Sequence, residues 1–204
     1  MVEFWNERYK TEDYAYGTLP NVFFKETVAQ LKLKGDFLFA AEGEGRNAVY
    51  AAELGNHSCA FDTSEEGKNK ALKLANEKSV SIDYSIASFD DFKTKNQFDA
   101  VVLCYAHLPA DALKRSYLKM ARFVKTGGYI LIEGFSKEHQ QFQKISKSAG
   151  GPKDISMLFA EDTLVSFLRD FEIIKAETVT TTLDEGSFHQ GEASVVRIIA
   201  KKLK

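Results

Sequence analysis

Two cysteines, Cys59 and Cys104, are all that the 204 residues contain, and each sits inside an apolar run with no CxxC or Cys/His spacing around it. That scarcity points to buried free thiols in a reducing compartment, not to a disulfide scaffold or a metal centre. A dominant charge is missing too: 27 basic against 29 acidic residues leave a net charge of -2. No broad cationic field is available for a phosphate backbone, so nucleic acid is not an expected partner. The first residues carry charges where a signal peptide needs an apolar core, and no apolar run approaches a membrane span. A soluble, cytoplasmic protein without a membrane partner is expected. Repeats, low-complexity tracts and linkers are absent as well, and 44% hydrophobic residues suffice for one full core. The expectation is one domain over 1–204, with 1–34 as an N-terminal cap and first helix and 35–204 as the main body.

What is there is alternation. Helical spacing at 22–33 precedes an apolar strand at 37–41, a helix at 47–54 closed by Gly55, a strand at 57–61, a helix at 64–77 and a strand at 80–85. An almost wholly apolar strand at 98–105 leads through Pro109 into a helix to residue 123. Thr126-Gly127-Gly128 breaks the chain before a strand at 129–133, helical patterns at 137–147 and 161–170, and two alternating segments, 171–182 and 193–201. This order predicts an α/β, Rossmann-like doubly wound sheet of seven strands, mostly parallel with a C-terminal antiparallel hairpin. Ligands of such sheets bind at the carboxyl ends of the strands.

The segment 36–48 carries the most functional information. An apolar strand stops at Gly43-Glu44-Gly45 and a helix begins at once, so flexible backbone lies beside the free N–H groups of a helix start. That is a nucleotide-type pocket. The following strand ends in Asp62, near the spacing of about 20 residues at which an acid takes a ribose diol. Capping of the next helix by Asp62, Thr63 or Ser64 is the alternative, and Ser64 can cap while Asp62 binds. Ala48 stands where a dinucleotide fingerprint has its third glycine, which that fingerprint tolerates.

Residues 38–47, Asp62, the pair Ser88-Phe89, the strand 98–103 and the run Val124-Lys125-Thr126-Gly127-Gly128-Tyr129-Ile130-Leu131-Ile132 together resemble the class I S-adenosylmethionine-dependent methyltransferases. The resemblance implies S-adenosyl-L-methionine as cofactor, contacted by Ala41, Glu42, Gly43, Gly45, Asn47, Asp62, Thr63, Ser64, Ser88, Phe89 and Tyr105. Trp5-Asn6-Glu7-Arg8-Tyr9, residues 16–21 and Gly43-Glu44-Gly45-Arg46-Asn47 are similar to the tellurite-resistance (TehB-like) and thiol methyltransferase subgroup. That likeness implies a small soft nucleophile, a thiol or a chalcogen oxyanion such as tellurite or selenite. Phe39 replaces the acid usual in the first motif and Ala41 its first glycine. Glu42 then either accepts hydrogen bonds from the cofactor's ammonium or stays exposed without a ligand.

In-line methyl transfer needs chiefly alignment, which can supply roughly 7–11 kcal/mol. A base matters only for acceptors that hold their proton. His107, after the fourth strand, is a substrate contact or base, or else fixes the loop before Pro109; His189, in the final hairpin's connection, is the other candidate. Glu133 ends the fifth strand and faces the pocket or caps the next segment, while Tyr16 in 14–21 and Lys153 in 149–154 belong to possible covers. Arg46 and Lys153 are the natural partners of an anionic substrate. Two further readings stay open, an adenosylmethionine-binding sensor without catalysis and a nicotinamide-dependent oxidoreductase. A monomer or homodimer is expected.

Overall fold

The computed structural model describes residues 2–204. A short helix α1 (Val2–Tyr9) and α2 (Val22–Leu31) precede β1 (Asp36–Ala40), α3 (Arg46–Glu53), β2 (His57–Asp62), α4 (Glu65–Glu77), β3 (Asp83–Ile86) and β4 (Phe98–Cys104). Then come α5 (Ala110–Arg122), β5 (Val124–Phe135), α6 (Gln140–Ile145), α7 (Glu161–Ser166), β6 (Phe171–Asp184) and β7 (Gln190–Lys202). The strands form one sheet in the order β3-β2-β1-β4-β5-β7-β6, with β1 to β5 parallel and β7 antiparallel to both of its neighbours. No helix among the described residues is long and apolar enough to cross a membrane.

Strand periodicity divides the core in two. Leu38, Val101, Leu103, Ile130 and Ile132 point to one face, beneath α5, and Phe37, Phe39, Ala100, Val102 and Leu131 point to the other, where α2, α3 and α4 pack. The central strands are apolar on both faces because both are covered. The strand order reverses between β1 and β4, which opens a crevice at their carboxyl ends.

Several boundaries differ from the periodicity. The N-terminal helix α1 was not expected; its aromatic side packs on α4, with Trp5 stacked on Tyr9 at 5.5 Å. The third strand is shorter and later than 80–85, because Val80 N–H still closes onto Ala75 O at the end of α4. Thr126-Gly127-Gly128 does not end an element. It bulges within β5, where Val124 faces Phe98 and Tyr129 already faces Ala100. β5 runs on to Phe135, so Glu133 lies inside the strand instead of at its end. The pattern at 137–147 resolves into a 3-10 turn (Lys137–His139) and α6, and α7 stops at Ser166. Both cysteines are free thiols.

Helices α3 and α4 lie close because position 45 has no side chain. Gly45 has φ +86°, and a Cβ there would collide with Ala71 Cβ and come within 2.8 Å of its Cα. Gly45→Ala is expected to cost at least about 2 kcal/mol, from left-handed backbone strain plus overpacking. Urea unfolding at pH 7 measures it, and a loss under about 0.5 kcal/mol would remove the close-approach account.

Candidate functional site

The turn after β1 is held by its own main chain: Glu42 N–H reaches Phe61 O at 3.2 Å and Gly45 N–H reaches Glu42 O at 3.3 Å. Ala41 takes φ +55°, so the left-handed backbone expected of a glycine is kept by a residue that pays about 1–2 kcal/mol for it. Tyr105, just past β4, takes φ +54°, its N–H on Glu133 O at 2.7 Å. Two strained non-glycine residues thus flank the crevice, a distribution common at functional sites.

Glu42 does not point away from the helix start. Its Oε1 accepts from the N–H groups of Asn47 and Ala48, both at 2.8 Å, and Oε2 lies 3.4 Å from Asn47 Nδ2. The N–H groups expected to be free for a ligand are therefore partly occupied from within. Burial pushes the Glu42 carboxyl up to about 7, against the pull of the Ala48 N–H and Arg46.

Asp62 ties the second strand to the glycine turn. Its Oδ2 accepts from Gly43 N–H at 3.1 Å and Oδ1 from Ser64 N–H at 2.9 Å. Ser64 caps α4 through Gly67 N–H at 3.0 Å and donates to Asn6 Oδ1 at 2.7 Å, while Thr63 lies half-buried between the two. Tyr84 donates to Gly43 O at 2.6 Å, and a Cβ on Gly43 would come within 2.7 Å of the Tyr9 hydroxyl. Ser88 closes its own turn onto Asp91 at 2.5 Å. The Phe89 side chain is turned into the core, edge-on to Phe61 at 5.4 Å, so it offers no ring to an adenine.

A buried polar cluster lies beside this turn. Arg46 donates to Glu185 Oε2 at 2.8 Å and to Tyr16 O at 3.3 Å. Asn21 caps α2 through Phe24 N–H and reaches Glu133 at 2.6 Å and Glu185 at 3.1 Å with its amide nitrogen. Arg197 pairs with Glu133 at 2.5 Å. Burial acts to raise Glu185, but Arg46 and His189 outweigh it and bring the carboxyl down to about 2. Burial raises Glu133 despite Arg197. Glu44 is likewise buried, accepting from Lys70 at 2.8 Å and from the N–H groups of Ala15 and Tyr16 at 3.2 and 3.4 Å.

The sequence candidates part company here. His107 donates from one ring nitrogen and accepts at the other: Nδ1 lies 2.8 Å from Met157 O, and Nε2 takes Phe135 N–H at 3.0 Å. Burial pushes it down to about 3. A ring with both nitrogens engaged and stacked on Phe159 at 4.2 Å fixes the loop and is no free base, which corrects its catalytic assignment. Glu133 caps nothing; it is consumed by Asn21 and Arg197. Lys153 is exposed on its loop and Arg46 is paired, so neither stands ready for an anion. His189 and Tyr16 come together, their rings 4.4 Å apart, and Tyr105 lies 4.4 Å from His189 on another side. Sequence reasoning missed Asn21, Glu44, Glu185 and Arg197. A signal existed for one of them, since Glu185 precedes His189 by one helical turn's spacing; Arg197 faces Glu133 only through the β5/β7 register.

Residues 37–128 match the family model described as a methyltransferase domain. No curated protein matches the chain. Among solved structures, one described under the conversion of a disulfide bond into a thioacetal group during echinomycin biosynthesis is 15% identical, with a TM-score of 0.80 over 99% of this chain and 91% of that one. TehB from Haemophilus influenzae is 16% identical, with a TM-score of 0.70 over 98% of this chain and 66% of that one. The N-methyltransferase NodS from Bradyrhizobium japonicum WM9, in complex with S-adenosyl-L-homocysteine, is 11% identical, with a TM-score of 0.68 over 100% and 98%. At these identities the likeness is one of fold. The chain has the Rossmann-like α/β methyltransferase fold, mostly parallel with antiparallel C-terminal strands.

Glu42 gives the site a pH signature. A carboxyl raised from 4.5 to about 7 keeps its proton in the folded chain and loses it in the unfolded one between those values. Its contribution to stability therefore falls as pH rises from about 4.5 to 7, by up to about 1.4 kcal/mol per pH unit. His107, lowered from 6.5 to about 3, acts with the opposite sign in that window and cancels when two forms sharing it are compared. Wild type minus Glu42→Gln, measured by urea unfolding from pH 4 to 8, is expected to decline to pH 7 and then level; a flat difference would show that Glu42 titrates normally.

Proposed function

We propose that the protein is an S-adenosylmethionine-dependent methyltransferase acting on a small molecule, in the cytoplasm, as a monomer or homodimer and without a nucleic-acid partner. The observation that carries this is the closure of Asp62 onto the Gly43 N–H at the carboxyl ends of β1 and β2, within the matched segment 37–128. The donor set fits the cofactor. Asp62 is a buried carboxylate already oriented by two backbone N–H groups and suits a ribose diol. Ala41, Asn47, Thr63, Ser64 and the main chain at Ser88 and Phe89 complete the rim. Glu42 and Tyr105 face the methionine end. Bound there, the sulfonium would supply an activated methyl group.

What the chain's own residues do is bind, align and exclude water. Tyr9 lies over Gly43, and Tyr16, fixed by Glu44 and Arg46, closes the side toward the hairpin loop 185–189. The acceptor class proposed from the N-terminal resemblance is a thiol or a chalcogen oxyanion. TehB and the structure described with thioacetal formation, similar in fold, are compatible with that class without identifying it. One observation favours the sensor alternative: Phe39 is wholly buried in the apolar core, so β1 brings no acid to the site.

Calorimetry with S-adenosylmethionine, S-adenosylhomocysteine and NADH tests the cofactor, and NADH binding without response to the sulfonium would reject it. Asp62→Ala is expected to weaken S-adenosylhomocysteine at least tenfold, about 1.4 kcal/mol, as loss of a hydrogen-bonded charge implies. Unchanged affinity would remove the ribose role. Transfer of a labelled methyl group separates enzyme from sensor.

A further inference from the structure

Resting on that cofactor reading, we propose that the methyl acceptor is a neutral molecule that still carries its proton, and that His189, positioned by Glu185, takes that proton. His189 is only 5% exposed. Its Nδ1 faces Glu185 Oε2 at 3.4 Å, which places the ring proton there, and Nε2 has no hydrogen-bond partner among the described residues. Beside it the Tyr105 hydroxyl is buried with no partner at all. The Tyr105 hydroxyl, left open in an aromatic surrounding of His189 and Phe135, is costly unless something polar meets it, and the neighbouring Nε2 is free to accept. A small X–H group meets both: its hydrogen points to Nε2, and its lone pair accepts from Tyr105.

Charge sets the class of that group. Each buried cation of the region is already engaged: Arg46 by Glu185, Arg197 by Glu133, and Lys70 by Glu44. Asp62 adds a buried carboxylate that no side-chain cation pairs among the described residues. Arg8, which no carboxylate pairs among those residues, is spent on the Tyr16 hydroxyl at 3.2 Å and on the face of the Phe188 ring at 3.8 Å. An oxyanion entering beside His189 would therefore have to draw a cation from an existing partner, whereas a neutral acceptor would not. Burial lowers His189, helped by Arg46 of α3 and by His139, while Glu185 raises it. The imidazole is therefore neutral at pH 7 and able to accept. Tyr16 and Tyr105, the other titratable groups packed on it, are both raised by burial and stay protonated. In the step itself the proton passes from X to Nε2, the electron pair of X forms the bond to the methyl carbon, and the carbon–sulfur pair remains on sulfur. The positive charge ends on the imidazolium, next to Glu185.

The test uses the full chain, labelled S-adenosylmethionine, 2-mercaptoethanol as a protonated thiol and selenite as an oxyanion. Wild type is expected to methylate the thiol and not selenite. His189→Asn should bind S-adenosylhomocysteine with wild-type affinity yet transfer to the thiol at pH 7 at least about a hundredfold more slowly. The deficit should shrink as pH approaches the thiol's own ionisation. Glu185→Gln should move the acid limb of the rate profile to lower pH, and NMR titration of His189 without turnover should show the same displacement. If loss of the Arg46 pair unfolds that variant, His189→Asn carries the test alone. Selenite methylated as fast as the thiol, His189→Asn at the wild-type rate, or a wild type that binds S-adenosylhomocysteine but methylates neither probe would each overturn the proposal. Failure to bind S-adenosylhomocysteine overturns the cofactor reading instead, and calorimetry tells the two apart.

Discussion

The buried pair between Arg46 and Glu185 is the contact on which the rest of the crevice depends. Arg46 is the first residue of α3, directly after the glycine turn, and Glu185 opens the loop between β6 and β7. Their 2.8 Å contact fastens the tip of the C-terminal hairpin to the glycine turn after β1. Asn21 adds the N-terminal segment by bonding to Glu185 and Glu133 at once, and Arg46 reaches Tyr16 O. A buried pair of this kind adds little net stability over an apolar replacement, but breaking one partner costs about 3–5 kcal/mol. Here it determines position: Tyr16, Tyr105 and His189 meet because the backbones on either side of the pair cannot move apart.

The same cluster shows why burial and charge must be weighed together. Glu185 and Glu133 occupy neighbouring ground, yet one is lowered and the other raised. Desolvation acts on both. Glu185 has a guanidinium and an imidazole facing it, and Glu133 has Arg197 but also Glu185 as a like charge. Glu42, with backbone N–H groups and Arg46 pulling against its burial, is still raised to about 7.

Much of the fold was legible because strand and helix periods differ and alternate cleanly between Phe37 and Phe123. Parallel strands buried on both faces announce themselves as apolar runs, as in β4. The errors came where tertiary contacts decide. Helix α1 was expected only as part of an N-terminal cap, and its packing on α4 gives it its place. The glycines at 127 and 128 read as a break because nothing local tells a bulge within a paired strand from its end. In the site, Asp62 and Ser64 were legible since their work is local: one strand end, one helix cap. His107 was ambiguous in sequence, and contacts from Met157 and Phe135 settle its geometry. Arg46, Glu133 and Glu185 could not be paired from sequence, because Arg46 and Glu185 stand 139 residues apart and the partner of Glu133, Arg197, is set by the β5/β7 register.

That separation bears on how the protein comes into being. Arg46 and Glu185 stand 139 residues apart, and β7 must insert between β5 and β6 before they can meet. A growing chain whose first five strands have emerged from the ribosome already owns the glycine turn and Asp62. It has neither the hairpin loop nor His189. Contacts of such long range form late, after the loop-closure entropy has been met. The glycine turn with Asp62 and the loop that carries His189 thus belong to opposite ends of synthesis, and the buried cluster is completed only when the last strand slides into the middle of the antiparallel trio.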